Sequence, residues 1–174
     1  MILHDLEIRR LCEDDRLIVP FDPVQLNPAS YDVLLGNHLM IESAASNGPS
    51  QLRVDISDHN KERPYWLKPG AFVLAETFET FNIPDDIAGQ FVLKSSRARE
   101  GYQHMLAGFC DPGWHGSKLT LELKNVRQLC ALPLWPGMKI GQMVFFLLAG
   151  IPERTYAVTG HYNNNATVMP SWEA

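Results

Sequence analysis

Apolar and polar residues alternate along several short stretches of this chain, and the clearest lies at residues 118–124. There Leu119, Leu121 and Leu123 take every second position, and polar residues take the positions between them. Because successive side chains of a β-strand point to opposite faces, this pattern predicts a half-buried strand. Further strands are predicted at residues 31–35, 52–56, 71–81, 91–93 and 138–148, the last apolar on both faces and therefore buried.

One clear helix is predicted near the start of the chain, at residues 4–14. Its apolar positions Ile8, Leu11 and Cys12 form an i, i+3, i+4 stripe, and charged residues take the other faces. Asp5 is placed to cap the first turn, since its carboxylate can accept a hydrogen bond from an unpaired backbone N–H group.

Turn residues separate the predicted strands, as at Gly36-Asn37. Short strands bounded by turns, with one clear helix, predict an all-β sandwich or barrel. No internal repeat or linker divides the chain, so residues 1–174 are expected to form one domain. Residues 43–70 are expected to be a long loop around one short strand. The polar tail, residues 155–174, is expected to stay mobile until a ligand binds.

Composition narrows the possible partners. The 174 residues carry a net charge of −5, which disfavours a DNA or RNA partner. The three cysteines contain no CxxC pair, so neither a disulfide framework nor a thiolate zinc site is predicted. The first residues show no basic leader, and the longest apolar run, residues 143–150, is too short to span a bilayer. A cytoplasmic protein without a membrane partner is expected.

A cluster of cations and hydroxyls directly follows the predicted strand at 91–93. It comprises Lys94, Ser95, Ser96, Arg97 and Arg99. Backbone N–H groups at a helix start, two hydroxyls and a guanidinium group would suit a phosphate. Such clusters are also common as solvated basic turns, and the cluster in isolation favours that simpler interpretation.

Two carboxylates are candidates for chemistry. Glu122 shares the polar face of the predicted strand with Thr120, and that face either meets water or lines a cleft where the carboxylate could transfer protons. Asp111 precedes Pro112-Gly113, where it either closes a turn or presents its carboxylate to a sugar hydroxyl or a water. The six histidines lack metal-ligand spacing, and the zinc-deaminase motifs H-x-E and P-C-x-x-C are absent. A catalytic zinc is therefore not predicted.

Four segments together resemble the dCTP deaminase family. Residues 27–36 are similar to its Q-P-[AS]-S-x-D-x-R-L segment, and residues 94–99 to its R-S-S-x-[AG]-R phosphate motif. Residues 107–114 with 120–125 resemble its A-G-[FW]-x-D-P-G-[FW] and [TV]-L-E-x-x-N core. Residues 134–142 resemble L-x-P-G-M-x-I-G-Q. These segments occur in the family's order and cover most of the chain.

The resemblance implies an all-β, dUTPase-like distorted jelly-roll or β-barrel with one short N-terminal helix and a few other short helices. It implies hydrolytic deamination of dCTP without zinc, in homotrimers whose active sites are shared between subunits. Magnesium would arrive with the triphosphate and not in a protein cage. Deoxycytidine and deoxyuridine nucleotides would be the ligands.

The resemblance also implies roles for individual residues. Glu122 would act as general base and acid, with the attacking water held by Ser95 and the backbone of Ala107. Asp111 would contact the deoxyribose. The remaining implied substrate contacts are Lys94, Ser96, Arg97, Ala98 and Arg99 near the phosphates, Thr120 and Leu121 along the base, and Gln142, Tyr156, His161 and Asn165.

Gly108 and Phe109 bear on whether the implied enzyme only deaminates or also cleaves the product. Family members with A-G-[FW] at this position tend to convert dUTP onward to dUMP and pyrophosphate, so a bifunctional enzyme is expected. Lys94 stands in place of an arginine, and His161 and Asn165 depart from the family's K-Y-x-x-Q. These changes leave three alternatives open, namely a dUTPase alone, a deaminase of another deoxycytidine nucleotide, and a non-catalytic nucleotide-binding trimer.

Overall fold

The computed structural model describes residues 1–43 and 50–172. The helices are α1 (Asp5–Asp14), α2 (Ser95–Glu100) and α3 (Tyr156–Thr159), with a 3-10 turn at Pro23–Gln25. The strands are β1 (Ile18–Val19), β2 (Leu26–Asn27), β3 (Ser30–Ser43), β4 (Ser50–Asp55), β5 (Tyr65–Leu67), β6 (Phe72–Phe81), β7 (Ile87–Leu93), β8 (Tyr102–His104), β9 (Phe109–Cys110), β10 (Ser117–Asn125), β11 (Leu132–Leu134) and β12 (Lys139–Leu147).

One antiparallel sheet contains most of these strands. Its order is β8-β10-β6-β3-β12-β7-β9, with β1 on β6 and both β2 and β4 on β3, while β11 and β5 form a separate pair. The segment between β8 and β9 connects the two ends of this path. Met105 N–H donates to Glu122 O at 3.1 Å near one end, and Phe91 N–H donates to Gly108 O at 2.7 Å near the other. The predicted all-β fold with one short N-terminal helix and a few other short helices is confirmed.

The alternation in β10 is confirmed by burial. Leu121 and Leu123 are fully buried and Leu119 is 9% exposed, whereas Thr120 and Glu122 on the opposite face are partly exposed. In α1, the predicted stripe of Ile8, Leu11 and Cys12 is buried.

One local prediction was wrong, and another was confirmed only in part. Gly36-Asn37 does not end a strand, because β3 continues through it with an irregular register between Leu35 and Leu39. A Cβ atom at Gly36 would lie 2.5 Å from Glu76 Cγ, so the glycine is needed for close packing and not for a turn. Asp5 is the first residue of α1 and not its N-cap, which is His4 without a side-chain hydrogen bond, but its carboxylate does accept from a first-turn backbone group, Leu6 N–H, at 2.9 Å.

The predicted loop at 43–70 holds more structure than expected. It contains β5 as well as the predicted strand, which is β4, while residues 44–49 lie outside the described part of the chain. No helix among the described residues is long and apolar enough to cross a membrane.

The tail lies along the polar face of β10. Lys118 N–H donates to Asn165 O at 2.9 Å, and Met169 N–H donates to Thr120 Oγ1 at 3.1 Å. Val168 is fully buried, and its N–H donates to a carboxylate oxygen of Glu76 at 2.8 Å. The sequence left two possibilities for this face, contact with water or the wall of a cleft, and the structure shows that it is one wall of a cleft.

Candidate active site

A cavity of about 510 Å³ lies between β10, the start of β6, the turn after β9 and the tail. Seven residues implicated by the sequence line it together: Ala107, Phe109, Asp111, Thr120, Glu122, Tyr156 and Asn165. Leu121 is not among them, because its side chain points to the opposite face of β10 and is fully buried in the core.

Glu122 extends into this cavity with its side chain 25% exposed. Its Oε2 atom lies 3.2 Å from Nε2 of His104, whose side chain is only 4% exposed. Within the described residues neither of these two atoms has a hydrogen bond that meets ordinary geometric limits. The carboxylate is thus held near one polar neighbour while it retains unused capacity to accept protons.

His104 was missed in the sequence. It lies on β8, where Tyr102 and His104 are buried on either side of the exposed Gln103, and an alternation of three residues is too short to give a clear signal in the sequence. A buried histidine on a strand next to a candidate catalytic carboxylate is a group that requires a partner.

Gly108 makes room for this histidine. A Cβ atom at Gly108 would lie 2.8 Å from Phe91 Cβ and 3.3 Å from His104 Cε1. A larger residue would therefore have to displace one of these two side chains. The imidazole of His104 also packs against the Phe91 ring, with centroids 4.8 Å apart.

The turn after β9 places Asp111 at the cavity beside α3. Tyr156 N–H donates to Pro112 O at 2.8 Å, which attaches the start of α3 to this turn. Gly113 has φ of +84°, a conformation that favours glycine. Burial raises the pKa of the Tyr156 hydroxyl, so that group remains a neutral hydrogen-bonding partner at neutral pH.

The tail provides another polar group in the cavity wall. The Asn165 side-chain nitrogen is buried and has no hydrogen-bond partner within the described residues. His161 does not line the cavity; its ring stacks on Trp172 with centroids 4.7 Å apart.

Lys118 is the single cationic side chain among the described residues that line the cavity. Its ammonium group lies 3.1 Å from Oε1 of Glu76, a fully buried carboxylate on β6. The cavity alone therefore offers little positive charge to a triphosphate.

The predicted phosphate motif lies outside the cavity. Ser95, Ser96, Ala98 and Arg99 are exposed on α2, and Ser95, Ser96 and Arg99 have no side-chain hydrogen bond or ion pair within the described residues. Arg97 differs from its neighbours on α2, because it pairs with Glu100 at 2.6 Å and lies over the ring of Trp135.

A second polar group lies at the base of α2. Lys94 and Lys139 both contact the carboxylate of Asp32, at 2.6 and 3.1 Å. Burial alone would raise the pKa of Asp32, but hydrogen bonds from Lys94, Lys139 and Asn27 outweigh it and hold this pKa below its ordinary value. Gln142, whose Oε1 accepts from Ser30 Oγ at 3.1 Å, is paired with Asp32 across β12 and β3. Lys94 and Gln142 thus belong to this group and not to the cavity.

No three His, Cys, Asp or Glu side chains among the described residues lie close enough together to hold a metal ion.

Residues 2–148 match a family model described as dCTP deaminase-like. The chain belongs to this family. A relative from Pseudarthrobacter chlorophenolicus, named dCTP deaminase, dUMP-forming, is 38% identical over 172 residues, covering 94% of this chain and 88% of the relative. A protein of the same name from Streptomyces coelicolor is 40% identical over 164 residues, covering 90% and 85% of the two chains.

Solved structures agree on the fold. The chain resembles the 2'-deoxycytidine 5'-triphosphate deaminase of Agrobacterium tumefaciens with a TM-score of 0.66 at 22% identity, over 84% of this chain. The match spans 48% of that longer chain. It also resembles a dUTPase from Streptococcus mutans with a TM-score of 0.51 at 16% identity, over 76% of this chain and 92% of the other. Identities this low support the architecture alone.

Proposed function

We propose that this protein deaminates dCTP to dUTP and then cleaves dUTP to dUMP and pyrophosphate. The observation that carries the proposal is the position of Glu122 in the cavity wall, with a partly exposed carboxylate that has unused acceptor capacity. The names of the relatives from Pseudarthrobacter and Streptomyces support the same reaction and its dUMP-forming second step.

Glu122 is the proton-transfer group in this proposal. Its carboxylate accepts a proton from water, and the resulting hydroxide attacks C4 of the cytosine ring. The same group then returns the proton to the amino nitrogen, which leaves as ammonia. General acid–base catalysis of this kind contributes about 10²- to 10⁴-fold to a rate.

The other cavity residues bind the nucleoside. Asp111 accepts a hydrogen bond from the deoxyribose hydroxyl, and Thr120 lies along the base on the same face as Glu122. Asn165 offers an unpartnered amide to a base carbonyl, which supports its role despite its shorter side chain. Tyr156 closes the sugar side of the cavity. The tail holds Asn165 in place, and closure of the tail over the ligand stays a prediction.

The phosphates are proposed to bind α2 of a neighbouring subunit. Among the described residues, the cavity wall supplies Lys118 alone as a cation, whereas Ser95, Ser96 and Arg99 are exposed on α2 of the same chain with no side-chain partner in that part of the chain. A homotrimer would bring α2 of one copy to the cavity of the next, and Ser95 would then reach the catalytic water. Mg²⁺ would enter as the complex with the triphosphate, whose oxygens are the hard ligands that it prefers. Zinc independence and a cytoplasmic location stay predictions.

The proposal is tested by incubating the purified protein with dCTP and Mg²⁺ and separating the products by chromatography. Formation of dUMP, pyrophosphate and ammonia is expected. Formation of neither dUTP nor dUMP would overturn the proposal.

Substrate identity has specific alternatives, because Lys94, His161 and Asn165 depart from the family pattern. A panel of dCTP, dCDP, dCMP and dUTP separates them. Cleavage of dUTP alone would identify a dUTPase, and turnover of dCMP or dCDP alone would identify another deaminase. Tight binding without turnover would identify a non-catalytic nucleotide-binding protein. Molar mass by light scattering tests the trimer.

A further inference from the structure

His104 and Glu122 form an isolated polar pair at the cavity. The two side chains lie 3.2 Å apart between Nε2 and Oε2, and His104 is 4% exposed. Neither atom has a hydrogen bond that meets ordinary geometric limits among the described residues. A buried imidazole and a carboxylate that have only each other favour a hydrogen bond between them, since an unpaired buried polar atom is costly.

The surroundings fix the position of the imidazole. His104 pairs with Leu123 across β8 and β10, and the next residue, Met105, donates its N–H to Glu122 O at 3.1 Å. The Phe91 ring packs on one side, and the missing side chain of Gly108 leaves the space that the imidazole occupies. A histidine held by backbone pairing and packing can in turn hold its neighbour.

We propose that His104 is a positioning residue for Glu122. Its Nε2–H donates to Glu122 Oε2 and fixes the carboxylate plane, so that Oε1 remains directed at the water in the cavity. His104 touches neither the water nor the substrate. The cost of a mispositioned catalytic group is typically 10- to 100-fold in rate. This inference rests on the proposed deamination and adds a residue to it.

The test compares three substitutions at one position. In His104→Gln the amide nitrogen can take the place of Nε2 and donate to Glu122. In His104→Asn the amide is too short to reach, and in His104→Leu no donor remains. We expect kcat for dCTP deamination to fall about 10- to 100-fold in the Leu and Asn variants, with KM within about 3-fold of wild type. The Gln variant should keep kcat within about 5-fold of wild type by the same reasoning.

The matched control is His38→Leu, which removes the imidazole of a second histidine–carboxylate pair, on Glu76. It should lower the melting temperature and leave kcat within about 3-fold of wild type, because Glu76 is not a reacting group. If the Leu variant fails to fold, the comparison of kcat between the Gln and Asn variants still tests the inference.

Two outcomes would overturn the inference while the wild type remains active. One is an unchanged kcat in the Leu and Asn variants. The other is a Gln variant that loses as much activity as the Asn variant, since a hydrogen bond donated to Glu122 would then not account for the role of His104. A wild type that does not deaminate dCTP would instead overturn the proposed function, and this inference with it.

Discussion

Two glutamates on neighbouring strands have similar partners and opposite environments. Glu76 on β6 is paired with Thr120 of β10, and Glu122 lies two residues farther along β10. Each contacts one histidine, His38 for Glu76 at 3.0 Å and His104 for Glu122 at 3.2 Å. Glu76 is fully buried, whereas Glu122 is 25% exposed at the cavity.

Their hydrogen bonding separates them further. Besides His38, Glu76 accepts from Lys118, from the Thr167 hydroxyl and from Val168 N–H. Burial alone would raise the pKa of Glu76, but these donors outweigh burial and lower it below the ordinary value. A carboxylate with this many donors is a structural anchor that holds the tail to the sheet. Glu122, with a single neighbour, retains the capacity that proton transfer requires.

The largest expected effect is that of Glu122→Gln on catalysis. The amide keeps the shape of the side chain but cannot accept a proton from water, so kcat should fall about 10³-fold. The melting temperature should stay close to that of wild type, because few contacts are lost. Product formation at saturating dCTP measures the first quantity and thermal unfolding the second; near-normal turnover would remove Glu122 from the mechanism.

Glu76→Gln should instead lower the stability of the protein and change kcat little. The amide cannot serve all the donors around it and leaves Lys118 without its ion pair, which should cost about 3 kcal/mol of unfolding free energy at pH 7. Because the pKa of Glu76 is lowered in the folded protein, its stabilisation is present above pH 4.5 and is lost as pH falls through the lowered pKa. Urea unfolding should therefore show a smaller difference between wild type and variant at acidic pH.

Glu79 adds a third case to the comparison, a buried carboxyl group that accepts few hydrogen bonds. It is 1% exposed and accepts from Leu34 N–H at 3.1 Å. Burial raises its pKa to about 7. A raised folded pKa means that the stabilisation is complete below pH 4.5 and is lost as pH rises through 7.

Glu79→Gln keeps a neutral group at this site. The stability of the variant relative to wild type should therefore increase as pH rises from 5 to 8. The gain should be roughly 2 kcal/mol in unfolding free energy. Urea unfolding at several pH values measures it. A difference that does not change with pH would contradict a raised pKa for Glu79.

The smallest effect concerns one hydrogen bond of the anchor. Thr167→Val removes the hydroxyl that donates to Glu76 at 2.9 Å and should cost about 1 kcal/mol of unfolding free energy. Thr159→Val is the control, since its hydroxyl makes a longer and exposed bond of 3.3 Å to Thr155 O. Equal costs for the two variants would show that the Thr167 hydroxyl does not contribute to this anchor.

The sequence predicted those parts of the site that depend on local periodicity. The alternation of β10 places Thr120 and Glu122 on one face because the period of a strand is two. The anchor at Glu76 could not be predicted in this way, because its partners His38, Lys118 and Thr167 come from distant parts of the chain. His104 was missed because β8 has only three residues, too few to establish a pattern.

The prediction at Gly36-Asn37 was wrong for a related reason. Gly-Asn is a common turn signal, but here the missing side chain accommodates Glu76 from the next strand. Periodicity and spacing did not predict that α2 and the cavity lie apart in one chain, although the family resemblance implied active sites shared between subunits. That separation depends on the curl of the whole sheet, which no single segment of the sequence encodes.

The central claim is that Glu122 is the catalytic carboxylate and Glu76 a structural one. The most direct test is the initial rate of ammonia release from dCTP, measured side by side for Glu122→Gln and Glu76→Gln under conditions where both are folded. The account predicts a rate near background for Glu122→Gln and a rate within about 5-fold of wild type for Glu76→Gln. Comparable rates for the two variants, or the reverse order, would contradict it.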